Sequence, residues 1–135
     1  MKQTLLMIAC SLSLSCAGDA ERLTVAPLPK DGTALPIKDV LSRLSAQTTT
    51  AKEEHFLNQW DGLVEATVSL EQSTGYLLRA PDVPAVHRPA YEKASAELKI
   101  QIVKLRESAR RKDQTESLES IRIIHNQVRD LQDLR

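Results

Sequence analysis

Residues 117–131 read SLESIRIIHNQVRDL. Within them Ile121, Ile124, Val128 and Leu131 recur at steps of three and four, which places them on one side of a helix turning about 100° per residue. On that wheel His125 lies about 40° from Ile121 and about 60° from Val128, so the periodicity predicts an imidazole inside the apolar stripe. A buried imidazole needs a partner for its N–H and its lone pair, or it costs roughly 1–3 kcal/mol. These fifteen residues therefore bear both on the fold and on what the fold could hold.

The same period recurs upstream. Ile37, Val40, Leu41 and Leu44 share a face in the stretch 37–47, after which Thr48–Thr50 reads as an interruption. Thr50 followed by Glu53 has capping-box spacing, so a second helix is expected over about 51–79. It would carry Phe56, Trp60, Leu63, Thr67, Leu70, Thr74 and Leu77 along about 40 Å. Pro81 and Pro84 end it, because proline lacks the donor that a further turn needs. Pro89 suits the first turn of a third helix bearing Tyr91, Ala94, Leu98, Ile102, Leu105 and Ala109. Asp113 and Glu116 repeat the capping-box spacing ahead of a fourth helix, which begins its stripe at Leu118.

No strand pattern competes, since aromatics make up 3% of the chain and no long run alternates with period two. Four amphipathic helices joined by short turns bury their stripes most simply as an all-α, up-down four-helix bundle over 37–135. Ile100, Val103 and Ile123 fall off the main stripes. They read as a partner contact or as the other wall of the bundle.

The N-terminus indicates an address. Met1 and Lys2 precede the apolar run TLLMIACSLSLS, which is too short to span a membrane and suits a removed secretory signal over residues 1–15. The residues LSLSC, ending at Cys16 and followed by AGD, resemble the lipobox of bacterial lipoproteins. That resemblance implies a lipidated Cys16 at the mature N-terminus. Ser13 stands where the family usually has Leu, and an ordinary signal peptide that leaves Cys16 as a free thiol is the alternative. Cys10 lies within the removed segment, so Cys16 has no disulfide partner. Residues 16–36 contain VAPLPKDGTALP, a composition that suits a flexible tether.

Eighteen basic residues balance eighteen acidic ones, and loss of Lys2 leaves 17 against 18. A near-neutral exported chain lacks the strongly basic face that nucleic-acid binding requires. The stretch RESARRKDQTES interleaves both signs and reads as a solvated helix end.

Residues 91–135 resemble the last two helices of the cytochrome c-prime family, and WDGLVEATVSLEQSTGYLL, from Trp60 to Leu78, is similar to its second helix. In that family an aromatic residue opens the third helix, and the fourth carries C-x-x-C-H with a basic residue beyond it. Here Ile121 and Ile124 stand at the two haem-attachment positions, followed by His125 and, further on, Arg129. The resemblance implies a four-helix bundle of the bacterial envelope, but thioether attachment is impossible with these residues. The soluble b-type four-helix cytochromes hold haem without covalent bonds and usually supply a second ligand, often Met. The mature chain has none, since Met1 and Met7 leave with the signal.

Three readings follow. In the first, His125 binds haem non-covalently for electron transfer or gas binding. In the second, which is preferred, the haem is lost, Ile121 and Ile124 fill its volume, and His125 bonds a hydroxyl such as Thr67 or Thr74. The third, a metal site joining His125 to His55 or His87, lacks ligand spacing. No order of Ser, His and Asp suggests nucleophilic catalysis. The expectation is a non-enzymatic envelope lipoprotein, facing the periplasm or the exterior. Its partners would be the membrane through its lipid, another envelope protein, or a second copy of itself as a homodimer.

Overall fold

The structure, a computed structural model, describes residues 25–134. It is an all-α four-helix bundle made of α1 (Ile37–Phe56), α2 (Trp60–Leu77), α3 (Arg88–Arg110) and α4 (Gln114–Asp133). A single 3-10 turn, Ala85–His87, leads into α3. Each helix packs on its chain neighbours and α1 also packs on α4, so the up-down ring closes. No strand occurs among the described residues.

The expected break at Thr48–Thr50 does not occur, and α1 runs through it. The three hydroxyls instead donate to the carbonyls one turn back, Thr48 to Leu44 at 2.7 Å, Thr49 to Ser45 at 3.2 Å and Thr50 to Ala46 at 3.3 Å. A threonine that bonds its own helix has no need to cap the next one. The break falls at Leu57–Gln59, so Phe56 ends α1 rather than opening the stripe of α2.

Two links of one design join the helices at that end of the bundle. Asn58 adopts φ 56°, its N–H donates to the His55 carbonyl at 3.1 Å, and the Gln59 N–H reaches back to Glu54 at 2.9 Å. Lys112 also adopts φ 56°, donating to Ala109 at 3.0 Å while Asp113 donates to Ser108 at 2.9 Å. Both are Schellman motifs, in which one left-handed residue lets two N–H groups satisfy carbonyls left open at a helix end. Asp113 then turns from stop signal to start signal, its carboxylate accepting the Glu116 N–H at 2.9 Å. The reciprocal half of the expected capping box is absent, because the Glu116 carboxylate pairs with Arg111.

At the opposite end α1 begins after Pro36, which has no side chain able to cap. Asp82, in the connection between α2 and α3, supplies the acceptor by taking the Ile37 N–H at 2.8 Å. Packing then fills the middle. Leu44, Leu63, Leu70, Leu98, Ile102, Leu105 and Ile124 are fully enclosed, at about 1.5–3 kcal/mol of transfer free energy per large side chain. Ser108 and Ser117 meet inside at 2.9 Å and tie α3 to α4. The Tyr91 hydroxyl donates to the Leu131 carbonyl at 3.2 Å.

Residues 25–36, the described part of the expected tether, lie along the bundle. Leu28 and Leu35 pack against the core, and the Pro29 carbonyl accepts from the Tyr76 hydroxyl at 3.3 Å. Val25 to Leu28 flank the α1/α2 groove beside Arg43, Gln47, Thr50, Ala66, Ser69 and Gln72. The signal segment and Cys16 are outside the described residues.

A left-handed conformation costs a non-glycine residue roughly 1–2 kcal/mol, and glycine avoids that cost. Lys112→Gly should therefore stabilise the bundle by about 1 kcal/mol, read as a rise in the urea midpoint, with Asn58→Gly gaining less because asparagine tolerates the conformation. Asp82→Ala should cost about 1 kcal/mol in the same assay, and Asp82→Asn should retain most of the cap.

Candidate functional site

The placement of α4 decides what His125 can do. Its buried residues are Ser117, Ser120, Ile121, Ile124, Val128 and Leu131. At 100° per residue these span an arc of about 100° that runs from Ile121 away from His125, whose position is about 90° from the arc's centre. His125 is accordingly exposed, a correction to its expected burial. The physical reason lies in two small residues. Ser117 and Ser120 face inward, and with Ser117 bonded to Ser108 they turn the helix so that the apolar arc no longer includes the histidine. Leu118, on the same flank as His125, is 54% exposed and is not part of the stripe.

Ile121 and Ile124 do lie in the core, 1% and 0% exposed. Thr67 and Thr74, the expected hydroxyl partners of His125, are engaged elsewhere. Thr67 donates to the Val64 carbonyl at 2.6 Å and accepts from the Arg106 Nε at 3.0 Å, while Thr74 donates to Leu70 at 2.8 Å. A haem held within the bundle by His125 does not fit this arrangement. The imidazole could enter the core only by a turn of about a quarter of a circle for the whole of α4, which would carry Ile124 out of it.

The three histidines are dispersed. His55, at the C-terminal end of α1, has its Nε2 3.0 Å from the Gln114 carbonyl and sets its ring edge-on to Trp60, with centroids 5.9 Å apart. His87 belongs to the 3-10 turn at the opposite end of the bundle. Among the described residues no group of three or more His, Cys, Asp or Glu side chains could hold a metal ion. Around His125 the surface is charged. Arg122, one turn earlier, donates to both Glu119 oxygens at 2.7 and 3.0 Å. Those hydrogen bonds hold the Glu119 carboxyl below its ordinary value and raise the Arg122 guanidinium above its own. Arg129 is exposed near Asp130 at 3.9 Å.

The unusual chemistry of this molecule is on its outside. Arg106, half-buried on α3, bonds Thr67 and pairs with Glu71, fixing the register of α3 against α2. On the outer surface of the same two helices Val68 of α2 is 44% exposed, and Ile100 and Val103 of α3 are 56% and 42% exposed. Ile100 and Val103 are thus surface residues and not the other wall of the bundle, whereas Ile123 is half-buried. A second apolar group occupies the end of the bundle. Phe56, the last residue of α1, and Leu57, the first of the α1/α2 link, are 83% and 55% exposed. The sequence pattern missed this pair because it took Phe56 into the stripe of a continuous helix. Asn58, a residue that tolerates left-handed φ, was the available signal of a turn there.

No family model, curated protein or solved structure matches this chain.

His125→Ala should leave stability within about 0.5 kcal/mol of the parent, as expected at an exposed position without buried partners. Ile124→Ala should cost about 2–5 kcal/mol, since it opens a cavity in a closed core. Chemical denaturation of the two variants side by side measures the difference.

Proposed function

We propose that this chain is a non-enzymatic envelope lipoprotein, anchored through Cys16, whose bundle serves as an interaction module. The observation that carries the reading is the outer α2/α3 face. Val68, Ile100 and Val103 expose branched hydrocarbon on the two helices that carry the Glu71–Arg106 pair. Exposed branched side chains on two packed helices that also share a charged pair offer a partner apolar contact and an orienting charge. The lipobox-like LSLSC at residues 12–16 supports the anchor, and the likeness to the cytochrome c-prime helices supports an envelope setting. The haem-free form of that likeness is favoured because Ile121 and Ile124 fill the core and His125 stands outside it.

Two experiments test this. A photo-crosslinking amino acid placed at Ile100 or Val103 of the full-length chain in bacterial cells should give a discrete adduct, while the same group at Lys93 should give none. Ile100→Glu should abolish the adduct at Val103 and change stability by no more than about 0.5 kcal/mol. An adduct at twice the chain's mass would identify the partner as a second copy, and no adduct at either position would rule this face out. In the second experiment hemin is titrated into the bundle, and no Soret band saturating at one haem per chain is expected. A saturable band that disappears in His125→Ala would replace the interaction reading with the b-type haem protein.

A further inference from the structure

The path of residues 25–36 gives the bundle a direction relative to its anchor. From α1 the chain leaves at Pro36 and, followed backwards, doubles back along the α1/α2 groove. Gly32 lies beside Arg79, Pro29 beside Tyr76, and Val25–Leu28 beside Gln47, Thr50 and Ala66. From Gly32 back to Val25 the chain therefore approaches the α1/α2 link. From the level of Thr50 that link is only about 10 Å further along the helix axis, at 1.5 Å per residue. The start of α1 is about 20 Å in the other direction. Cys16 precedes Val25 by nine residues, and nine residues reach at most about 30 Å.

The end of the bundle toward which the chain runs is also the end that exposes its largest apolar side chains. Phe56 is 83% exposed and Leu57 55%, and Leu118, near the start of α4, is 54% exposed. The two links there are fastened together, the His55 ring to the Gln114 carbonyl and the Gln114 amide to Asn58 Oδ1 at 2.6 Å. The apolar pair is therefore carried on a braced platform. Arg110, Arg111 and Lys112, where α3 ends, are offset by Asp113, by Glu116 in the first turn of α4 and by Asp61 at the start of α2. This composition meets an uncharged lipid surface as readily as an anionic one.

We propose that the Phe56–Leu57 link is a membrane-contacting tip: it faces the bilayer that holds the Cys16 lipid and seats its two apolar side chains among the head groups. This inference rests on the lipid anchor of the preceding section. The lipid fixes where the chain is held but not how the bundle is turned, and a second apolar contact strengthens the hold and fixes the orientation. Aromatic side chains favour that interfacial depth. With the tip down, Val25–Leu28, in the groove between Arg43 and Thr50, stand about 10–20 Å above the surface, within the reach of nine residues. With the opposite end down, the chain would have to turn back along the path that residues 25–36 already take.

Trp60 is the only tryptophan, which makes a site-specific probe simple. The full-length chain is made in a lipidating bacterium as Phe56→Trp in a Trp60→Phe background. A second version carries Val86→Trp in the same background, placing the probe at the opposite end, where Val86 is 77% exposed. The mass of each mature protein is checked for the diacylglyceryl group at Cys16, and each is reconstituted into phosphatidylcholine vesicles with or without bromine on the upper acyl chain. In brominated vesicles the tip probe should lose about half of its emission, as an interfacial aromatic does, and the far probe should lose almost none. Raised salt should not change the result. Lipidated, vesicle-bound protein whose tip probe is unquenched, or whose far probe is quenched instead, overturns the tip and leaves the anchor standing. A mature protein without the lipid mass that fails to float with vesicles overturns the anchor and the tip together.

Discussion

The left-handed residues Asn58 and Lys112 set the dimensions of this bundle. Each ends a helix within a single residue, satisfies the open carbonyls behind it and allows the next helix to begin almost at once. The consequence is matched length. The four helices have 20, 18, 23 and 20 residues, or about 27–35 Å each, so every apolar stripe finds an equally long partner. A helix running from 51 to 79 would have left a turn or more without neighbours, and the ring of packing contacts could not have closed.

Small polar residues inside the bundle decide how the helices are rotated. Ser108, Ser117 and Ser120 are buried, and the bonded pair Ser108–Ser117 brings α3 and α4 into contact near the links. Thr48, Thr67 and Thr74 are buried too, each returning its proton to a carbonyl of its own helix. These hydroxyls enter the core at little cost because their hydrogen bonds are local. Their presence widens the inward face of α4 on the side away from His125. The histidine is displaced to the surface without any change in the helix that carries it.

That rotation also leaves the interior apolar along α4 from Ile121 onward. The enclosed volume belongs to Leu, Ile and Val, and the distinctive features are external: the braced links with Phe56 and Leu57, and the α2/α3 face with Arg106 and Glu71. The two surfaces do not compete. One is at an end of the bundle and the other runs along its flank, so a bundle standing on its end leaves the flank open to a neighbour. The segment 25–36 occupies the α1/α2 groove, away from the α2/α3 face.

Local chemistry made the helical class, the number of helices and the third helix legible in the sequence, because period-three-and-four stripes and the proline boundaries at Pro81, Pro84 and Pro89 act within a few residues. The core membership of Ile121, Ile124, Val128 and Leu131 followed from the same periodicity. Position on a stripe's edge did not. His125 and Leu118 are each close enough to Ile121 on the wheel to belong, and only the packing of α3 against Ser117 and Ser120 determines which side of the edge faces inward. The first helix likewise continued through Thr48–Thr50 because its stripe could be buried against α2 and α4, a gain that local β-branched propensity cannot outweigh. Asp82 capping α1 across 45 residues is the clearest case, since no local pattern connects an acceptor in one loop with a donor in another. Tertiary structure alone decides such pairings, because they depend on which ends of which helices meet.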